Sequence, residues 1–270
     1  MKDKDRDLRL ASYNLRKCIG LDRRRDPGRS LDVLNSIGAD IIALQEADRR
    51  LGHRPAALPR EMIERGSDFV PLELGANSAS LGWHGNAILL RKGLEAGDIR
   101  CLDLPGLEPR GAVMATIGGL RVIGLHLGLM RRHRREQLAA IADMLAGLET
   151  RPTVILGDFN EWSARQGFEP ITGDFRLHAP GLSYHSAAPL APLDRFALGP
   201  GIELRDAGVV QTPQARRASD HLPVWADIRA PADFGQKPHP QQRAATAGER
   251  AATAPGAGTG EAPARGASFR

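Results

Sequence analysis

Strand-length apolar runs recur along the chain at 8–13, 41–44, 87–90, 112–117, 120–125, 153–156, 194–198 and 222–228. Several are rich in Val and Ile and are bounded by Gly, Pro or Asp, the composition of buried strands. Between them the spacing changes to that of helices, with Leu31, Leu34 and Ile37 on one stripe and Leu138, Ile141, Leu145 and Leu148 on another. Strands interleaved with helices predict an α/β layered protein. Gly118-Gly119 separates two of the runs, a two-residue turn suited to a β-hairpin, so the sheet is at least partly antiparallel. No GxGxxG follows the first strand and no Walker lysine motif occurs, which removes the main support for doubly wound nucleotide-binding folds. Two facing sheets with helices outside fit the pattern better.

From Pro231 onward the apolar periodicity stops and Ala, Pro, Gly, Gln and Thr take over. Such a segment cannot bury enough apolar surface to offset chain entropy. The expected organisation is therefore one domain over 1–230 and a disordered tail over 231–270.

Composition agrees with a single large core: 270 residues at 41% hydrophobic content suffice for one α/β domain. The formal charge of +5 and a sequence pI near 9.7 favour polyanionic ligands, nucleic acid or anionic lipid headgroups. Cys18 and Cys101 fit neither a zinc spacing nor a disulfide scaffold and read as packed thiols of a reducing compartment. The charged N-terminus has no h-region and no run reaches transmembrane length, so a cytoplasmic protein without integral membrane association is expected. No motif for a protein partner stands out.

What changes the picture is where polar residues stop the apolar runs. Asn14, Glu46 and His126 each follow a predicted strand; Asp158 and Asn160 follow another; Asp194 opens one; and Asp220-His221 precedes the last. Taken singly, Asn14 could serve a turn, Glu46 a helix N-terminus, and Asp194 a pair with Arg195. Together they suggest a rim of functional groups on a rigid scaffold. Carboxylates and amides supply hard oxygens for Mg²⁺, an imidazole beside a carboxylate can handle a proton, and further donors meet charge developing on phosphorus.

The motifs Ser12-Tyr13-Asn14-Leu15, Leu44-Gln45-Glu46, Gly85-Asn86-Ala87, Pro109-Arg110-Gly111, Leu125-His126-Leu127, Gly157-Asp158-Phe159-Asn160, Leu193-Asp194-Arg195 and Ser219-Asp220-His221 carry a resemblance. In this order they make the chain similar to the endonuclease/exonuclease/phosphatase superfamily, the DNase I-like fold. The resemblance implies a four-layer α/β sandwich of two stacked mixed sheets flanked by helices. It also implies phosphoester hydrolysis with Mg²⁺ or Mn²⁺. Glu46 matches the principal metal-binding glutamate, with Asn14 and Asp220 as further metal ligands. His221 matches the imidazole that activates water or supports its deprotonation, oriented by Asp194. Asp158 and Asn160 match residues that position the nucleophile and bind phosphate, and His126 matches a second histidine, a phosphate ligand or leaving-group acid. The division of proton roles among His221, Asp158 and His126 stays open. Arg110 matches an arginine bordering the site, where a guanidinium could hold phosphate; a pair with Glu108 is the alternative.

Two arginine-rich segments flank these motifs, Arg23-Arg24-Arg25 and Arg131-Arg132-His133-Arg134-Arg135. The second is expected to begin a helix, where the macrodipole disfavours cations unless an anion compensates. Arg134 and Gln137 match positions recurring in bacterial relatives, and the remaining arginines read as a solvated face. His126 stands where abasic-site endonucleases carry tyrosine, which argues against that branch. The expected activity is that of an endonuclease on nucleic acid, which charge favours over a lipid headgroup, with a sphingomyelinase-like lipid-headgroup phosphodiesterase or a phosphatase as the alternatives; a non-catalytic binding module conflicts with the complete polar set. Aromatic residues are only 4% of the chain, and neither a membrane-inserting hairpin nor a base-stacking platform is evident.

Overall fold

A computed structural model describes residues 7–50, 52–74, 79–231 and 234. The expectation of a disordered tail over 231–270 falls, apart from Pro231 and Phe234, outside the described residues. Phe234 packs, partly buried, against the core between the sheets.

Two six-stranded sheets form the scaffold. The first contains β1 (Asp7–Asn14), β2 (Ile41–Gln45), β3 (Phe69–Pro71), β4 (Ala87–Arg91), β11 (Leu204–Val209) and β12 (Val224–Arg229), in the order β11-β12-β1-β2-β4-β3. The second contains β5 (Ala96–Leu104), β6 (Arg110–Ile117), β7 (Leu120–His126), β8 (Thr153–Asp158), β9 (Arg176–His178) and β10 (Asp194–Leu198), in the order β5-β6-β7-β8-β10-β9. One parallel pair sits inside each otherwise antiparallel sheet, β1 with β2 and β7 with β8. The Gly118-Gly119 turn closes the β6–β7 hairpin with both glycines at positive φ, 51° and 81°, the twist that two-residue hairpins require.

Strand periodicity sorts the side chains into layers. Leu8 and Leu10 of β1, Ile41 and Ala43 of β2, Val122 of β7, Val154 and Leu156 of β8, and Phe196 and Leu198 of β10 fill the space between the sheets. Their neighbours Tyr13, Ile42 and Leu44 point outward from the first sheet, onto α1 (Pro27–Ile37), α2 (Arg60–Gly66) and the short α4 (Ala215–Ala218). Ile123, Leu125 and Ile155 point outward from the second sheet onto α3 (Arg131–Ala146). Each such Leu or Ile, fully buried, contributes about 1.5–3 kcal/mol. The architecture is the expected four-layer α/β sandwich, helix on sheet on sheet on helix. Among the described residues no helix is long and apolar enough to cross a membrane.

The sheets approach closely at Gly124, where an added Cβ would lie 3.1 Å from the Ala43 Cβ of the facing sheet. That contact lies two residues below His126, so the small residues narrow the sandwich just under its functional end.

The same alternation places the chemistry. Continuing the inter-sheet series 8, 10, 12 gives Asn14; 120, 122, 124 gives His126; 154, 156 gives Asp158; and 198, 196 gives Asp194. Four of the predicted residues thus share the inward face at one end of the sandwich, where the apolar core stops and strand ends meet.

Candidate active site

Asp158 lies at the centre. Its Oδ2 accepts a hydrogen bond from Asn14 Nδ2 at 3.0 Å, and lies 3.3 Å from His126 Nε2 and 3.6 Å from His221 Nε2. Its Oδ1 accepts from the Asn160 backbone N–H at 2.9 Å. The preceding Gly157 is required by packing: with φ of 151°, a Cβ there would stand 2.0 Å from the Leu125 carbonyl oxygen. Any side chain would push β8 off β7 and carry Asp158 away from His126.

The expected pair of Asp194 and His221 is present. His221 Nδ1 is 2.8 Å from Asp194 Oδ2, and that oxygen also accepts from Ser183 Oγ at 2.6 Å. Arg195, the competing partner for Asp194, instead reaches the Glu161 and Ser163 carbonyls. Burial opposes charge on His221, but Asp194, Asp158 and Asp220 together outweigh it and push its pKa up to about 10. His126 goes the other way: burial, aided by Arg110, outweighs the attraction of Asp158 and pushes it down to about 3.

Glu46 and Asp220 face cations from a single loop. Lys17 Nζ pairs with Glu46 Oε2, and Arg16 Nε lies 3.2 Å from Asp220 Oδ2. The Arg16 backbone N–H also donates to Asn14 Oδ1 at 3.0 Å, tying the third proposed metal residue to the same loop. Ser219 Oγ donates to the Asn14 carbonyl at 2.7 Å, which fixes Asp220-His221 beside β1. Glu46 is not at a helix N-terminus; it occupies a left-handed conformation with φ of 50°, as does Asn160 with φ of 51°. Non-glycine residues held there cost about 1–3 kcal/mol each and concentrate at functional sites. The donor set of Asn14, Glu46 and Asp220 is all hard oxygen, already attracting two cationic side chains, and fits a divalent cation of the Mg²⁺ type. Atoms of Asp158, Asp194 and His221 also come within 4.8 Å of one another, close enough to hold an ion. The Asp194–His221 hydrogen bond already engages two of those groups.

Other predicted residues are placed differently. Arg110 pairs with Glu108, its Nε and one terminal nitrogen both directed at Oε2, at 3.1 and 2.7 Å. Asn160 Nδ2 donates to the Leu127 carbonyl at 2.8 Å, joining the β7 and β8 loops. Asn86 braces the rim through the Gly111 carbonyl, and His84 pairs with Asp103. Arg131, Arg132 and Arg135 are all exposed, as expected of a solvated face, though Arg131 also reaches Glu161. The anion that compensates the start of α3 is internal: Arg131 and the buried Arg134 both bind Glu161, at 2.8 and 2.6 Å. Arg134 also donates to the Gly128 and Leu129 carbonyls, while Gln137 Oε1 accepts the Gly128 N–H. Glu161 directly follows Asn160, so this network holds the Asp158–Asn160 loop against the loop after His126.

Sequence reasoning missed Ser183, Lys17 and Glu161. Ser183 sits in a loop without periodicity, and the partner that makes it meaningful is eleven residues away at Asp194. Lys17 and Glu161 adjoin recognised motifs but have no spacing signal of their own. Tyr184 was missed too; its ring lies 5.1 Å from that of His221 and 6.0 Å from that of the exposed Trp162.

A profile of the Endonuclease/Exonuclease/phosphatase family matches residues 11–221, most of the chain. The protein belongs to that family. A curated relative, the uncharacterized protein YbhP of Escherichia coli K12, is 29% identical over 229 residues, covering 73% of this chain and 86% of that protein. Among solved structures, a family member from Bacteroides thetaiotaomicron superposes with a TM-score of 0.66 at 16% identity, covering 87% of this chain and 99% of that one. A mannosyl-6-phosphatase from the same species gives 0.64 at 17% identity, covering 82% and 99%. TDP2 of D. rerio, complexed with a single-strand DNA product, also gives 0.64 at 17% identity, covering 83% and 99%. At these identities the superpositions establish the shared fold, and family membership supports phosphoester hydrolysis.

Proposed function

We propose that this protein is a divalent-metal-dependent phosphodiesterase that cleaves a phosphoester bond by in-line attack of an activated water. The observation that carries the reading is the continuous chain Asn14–Asp158–His221–Asp194–Ser183, linked through side-chain atoms at one end of the sandwich. A merely structural polar cluster has no reason to hold an imidazole between two buried carboxylates with its far nitrogen aimed at one of them.

Asn14, Glu46 and Asp220 would hold Mg²⁺ or Mn²⁺, which when bound neutralises phosphate charge and lowers the barrier to attack. The Asp158 carboxylate, oriented by Asn14 and the Asn160 N–H, takes the proton of the attacking water. His221, its charge supported by Asp194, donates toward a phosphate oxygen. His126 meets the phosphate as a neutral ring, and Asn160 and Arg110 complete the phosphate contacts, Arg110 by turning from Glu108. We place the protein in the cytoplasm, consistent with two free cysteines. Nucleic acid is the substrate favoured by the +5 charge, and a phospholipid headgroup is the alternative favoured by exposed apolar residues at the mouth.

Hydrolysis of bis(p-nitrophenyl) phosphate should stop in excess EDTA and return with Mg²⁺ or Mn²⁺. Glu46→Gln should raise the metal concentration needed for half-maximal rate while leaving Tm nearly unchanged. Full activity in EDTA would remove the metal from the mechanism.

A further inference from the structure

The mouth of the site is chemically divided. One lip is built by the first sheet, from the connections after β1, after β2 and before β12. It carries the exposed Arg23, Arg24, Arg25, Arg49, Arg50 and Arg217. The carboxylates beside them are engaged: Asp22 by the Arg29 side chain and Asp26 by the Arg29 backbone N–H.

The other lip is built by the second sheet and is apolar. Among the described residues, every large apolar side chain left exposed, Met62 excepted, lies on this lip: Leu107, Leu129, Met130, Trp162, Leu182 and Leu190. Topology puts them there, because the connections β5–β6, β7–α3, β8–β9 and β9–β10 all emerge or return at the end that bears His126, Asp158 and Asp194.

The four loops abut. Glu108, next to Leu107, accepts the Leu129 N–H at 2.9 Å. Arg134 joins the Leu129 carbonyl to Glu161, which precedes Trp162. Trp162 packs on Tyr184, and the Tyr184 carbonyl accepts the Leu190 N–H at 2.6 Å. Three of the arginines on this lip have carboxylate partners, Arg131 and Glu161, Arg132 and Glu136, Arg135 and Glu169, while Arg165 is exposed.

A nucleic acid presents phosphate to whatever grips it and rewards cations on every contacting loop. An anionic bilayer presents a charged headgroup layer over hydrocarbon and rewards a cationic edge beside an apolar one with an interfacial Trp. The mouth has the second pattern. Resting on the phosphoesterase reading for the chemistry of the site, we propose that this end of the sandwich docks on membranes containing anionic phospholipid. The apolar lip enters the interface, the arginine lip sits on the headgroups, and the site meets phosphoesters carried by amphiphiles.

The full-length protein should cosediment with phosphatidylcholine–phosphatidylglycerol vesicles but not with pure phosphatidylcholine. Its tryptophan emission should shift blue on binding, and Trp162→Phe should abolish most of that shift. Replacing Leu129, Trp162 and Leu190 together by Ser should weaken partitioning at least about tenfold. Arg24→Gln and Arg25→Gln should each weaken it by about fivefold at low salt. All of these variants should still cleave soluble bis(p-nitrophenyl) phosphate at the wild-type rate. Partitioning of the triple variant equal to wild type would overturn the proposal, as would duplex DNA displacing the protein completely from vesicles at equal phosphate concentration. Failure of the wild-type protein to bind the anionic vesicles while it cleaves the soluble diester defeats the docking surface alone; vesicle binding by wild type without cleavage of any phosphoester defeats the hydrolase reading alone.

Discussion

His126 and His221 stand 3.3 and 3.6 Å from the same carboxylate oxygen of Asp158, yet their surroundings drive them to opposite charge states. Both rings are buried, so desolvation acts against the proton in each. The difference is the group behind the ring. Asp194, itself buried and anchored by Ser183, backs His221 at 2.8 Å, whereas Arg110 adds positive charge near His126. Two residues of one type, at similar distances from one carboxylate, thus become a cationic ring on one side of Asp158 and a neutral ring on the other. Proximity to a carboxylate is a poor guide to an imidazole's state; the sum of charges around it decides.

The contrast can be broken most forcefully at His221. Its replacement by alanine should lower kcat by ~10²–10⁴ with KM little changed, the usual range for a group that handles or supports a proton in the transition state. Asp194→Asn should lose most of the same factor. The double variant should be hardly worse than His221→Ala, because the pair acts as a unit; multiplicative losses in a double-mutant cycle would separate the two residues. The His126 side should respond less. His126→Gln, which keeps a neutral donor, should reduce kcat/KM by about tenfold and its alanine variant by about a hundredfold, the range expected for one hydrogen bond to a charged group. An effect of His126→Ala larger than that of His221→Ala would reverse the assignment.

The wall on the His126 side depends on Glu161, and there the readout is stability. Its pKa is set by burial, which alone would raise it, and by Arg131 and Arg134, which prevail and hold it at about 2, below the ordinary 4.5 of a glutamate. A folded pKa below the unfolded one means that the stabilisation is complete above about pH 4.5 and is lost as pH falls toward 2. Glu161→Gln should therefore lower stability by about 3 kcal/mol at neutral pH, or Tm by about 10 °C, and flatten the acid side of the stability–pH curve. Urea unfolding across that range checks both. The smallest effect belongs to the segment past the sandwich. Removal of 238–270 should move Tm by no more than about one degree and leave both histidine phenotypes intact, because its composition offers little to bury.

Much of this was legible because strand periodicity is strict. Every expected strand corresponds to one in the structure, since runs such as 120–125 and 153–156 are mostly apolar and bounded by turns. The alternation that fills the core also carried Asn14, His126, Asp158 and Asp194 to one end. Strands β3, β5, β9 and β11 escaped notice: β5 and β11 are partly exposed and mix Gly, Asp and Arg into their pattern, while β3 and β9 are three residues each. Glu161 and Ser183 escaped because their meaning lies in partners distant along the chain. The apolar lip was hidden for a related reason. Leu107, Leu129 and Leu190 lie in loops with neither helix nor strand periodicity, and only the sheet topology shows that those loops share an end.

The pairing of β1 with β12 has a consequence for biosynthesis. β1 lies between β2 and β12, and the first sheet gains that antiparallel neighbour only when residues 224–229 are available. A chain emerging from the ribosome must hold Leu8 and Leu10 on an open strand edge until residues 224–229 have been made. The contacts that assemble the site are equally remote in sequence, Asn14 meeting Asp158 and then Ser219. Contacts so remote in sequence slow folding. No nascent fragment that ends before β12 should hydrolyse anything, and the interval before release is when this protein most needs a chaperone.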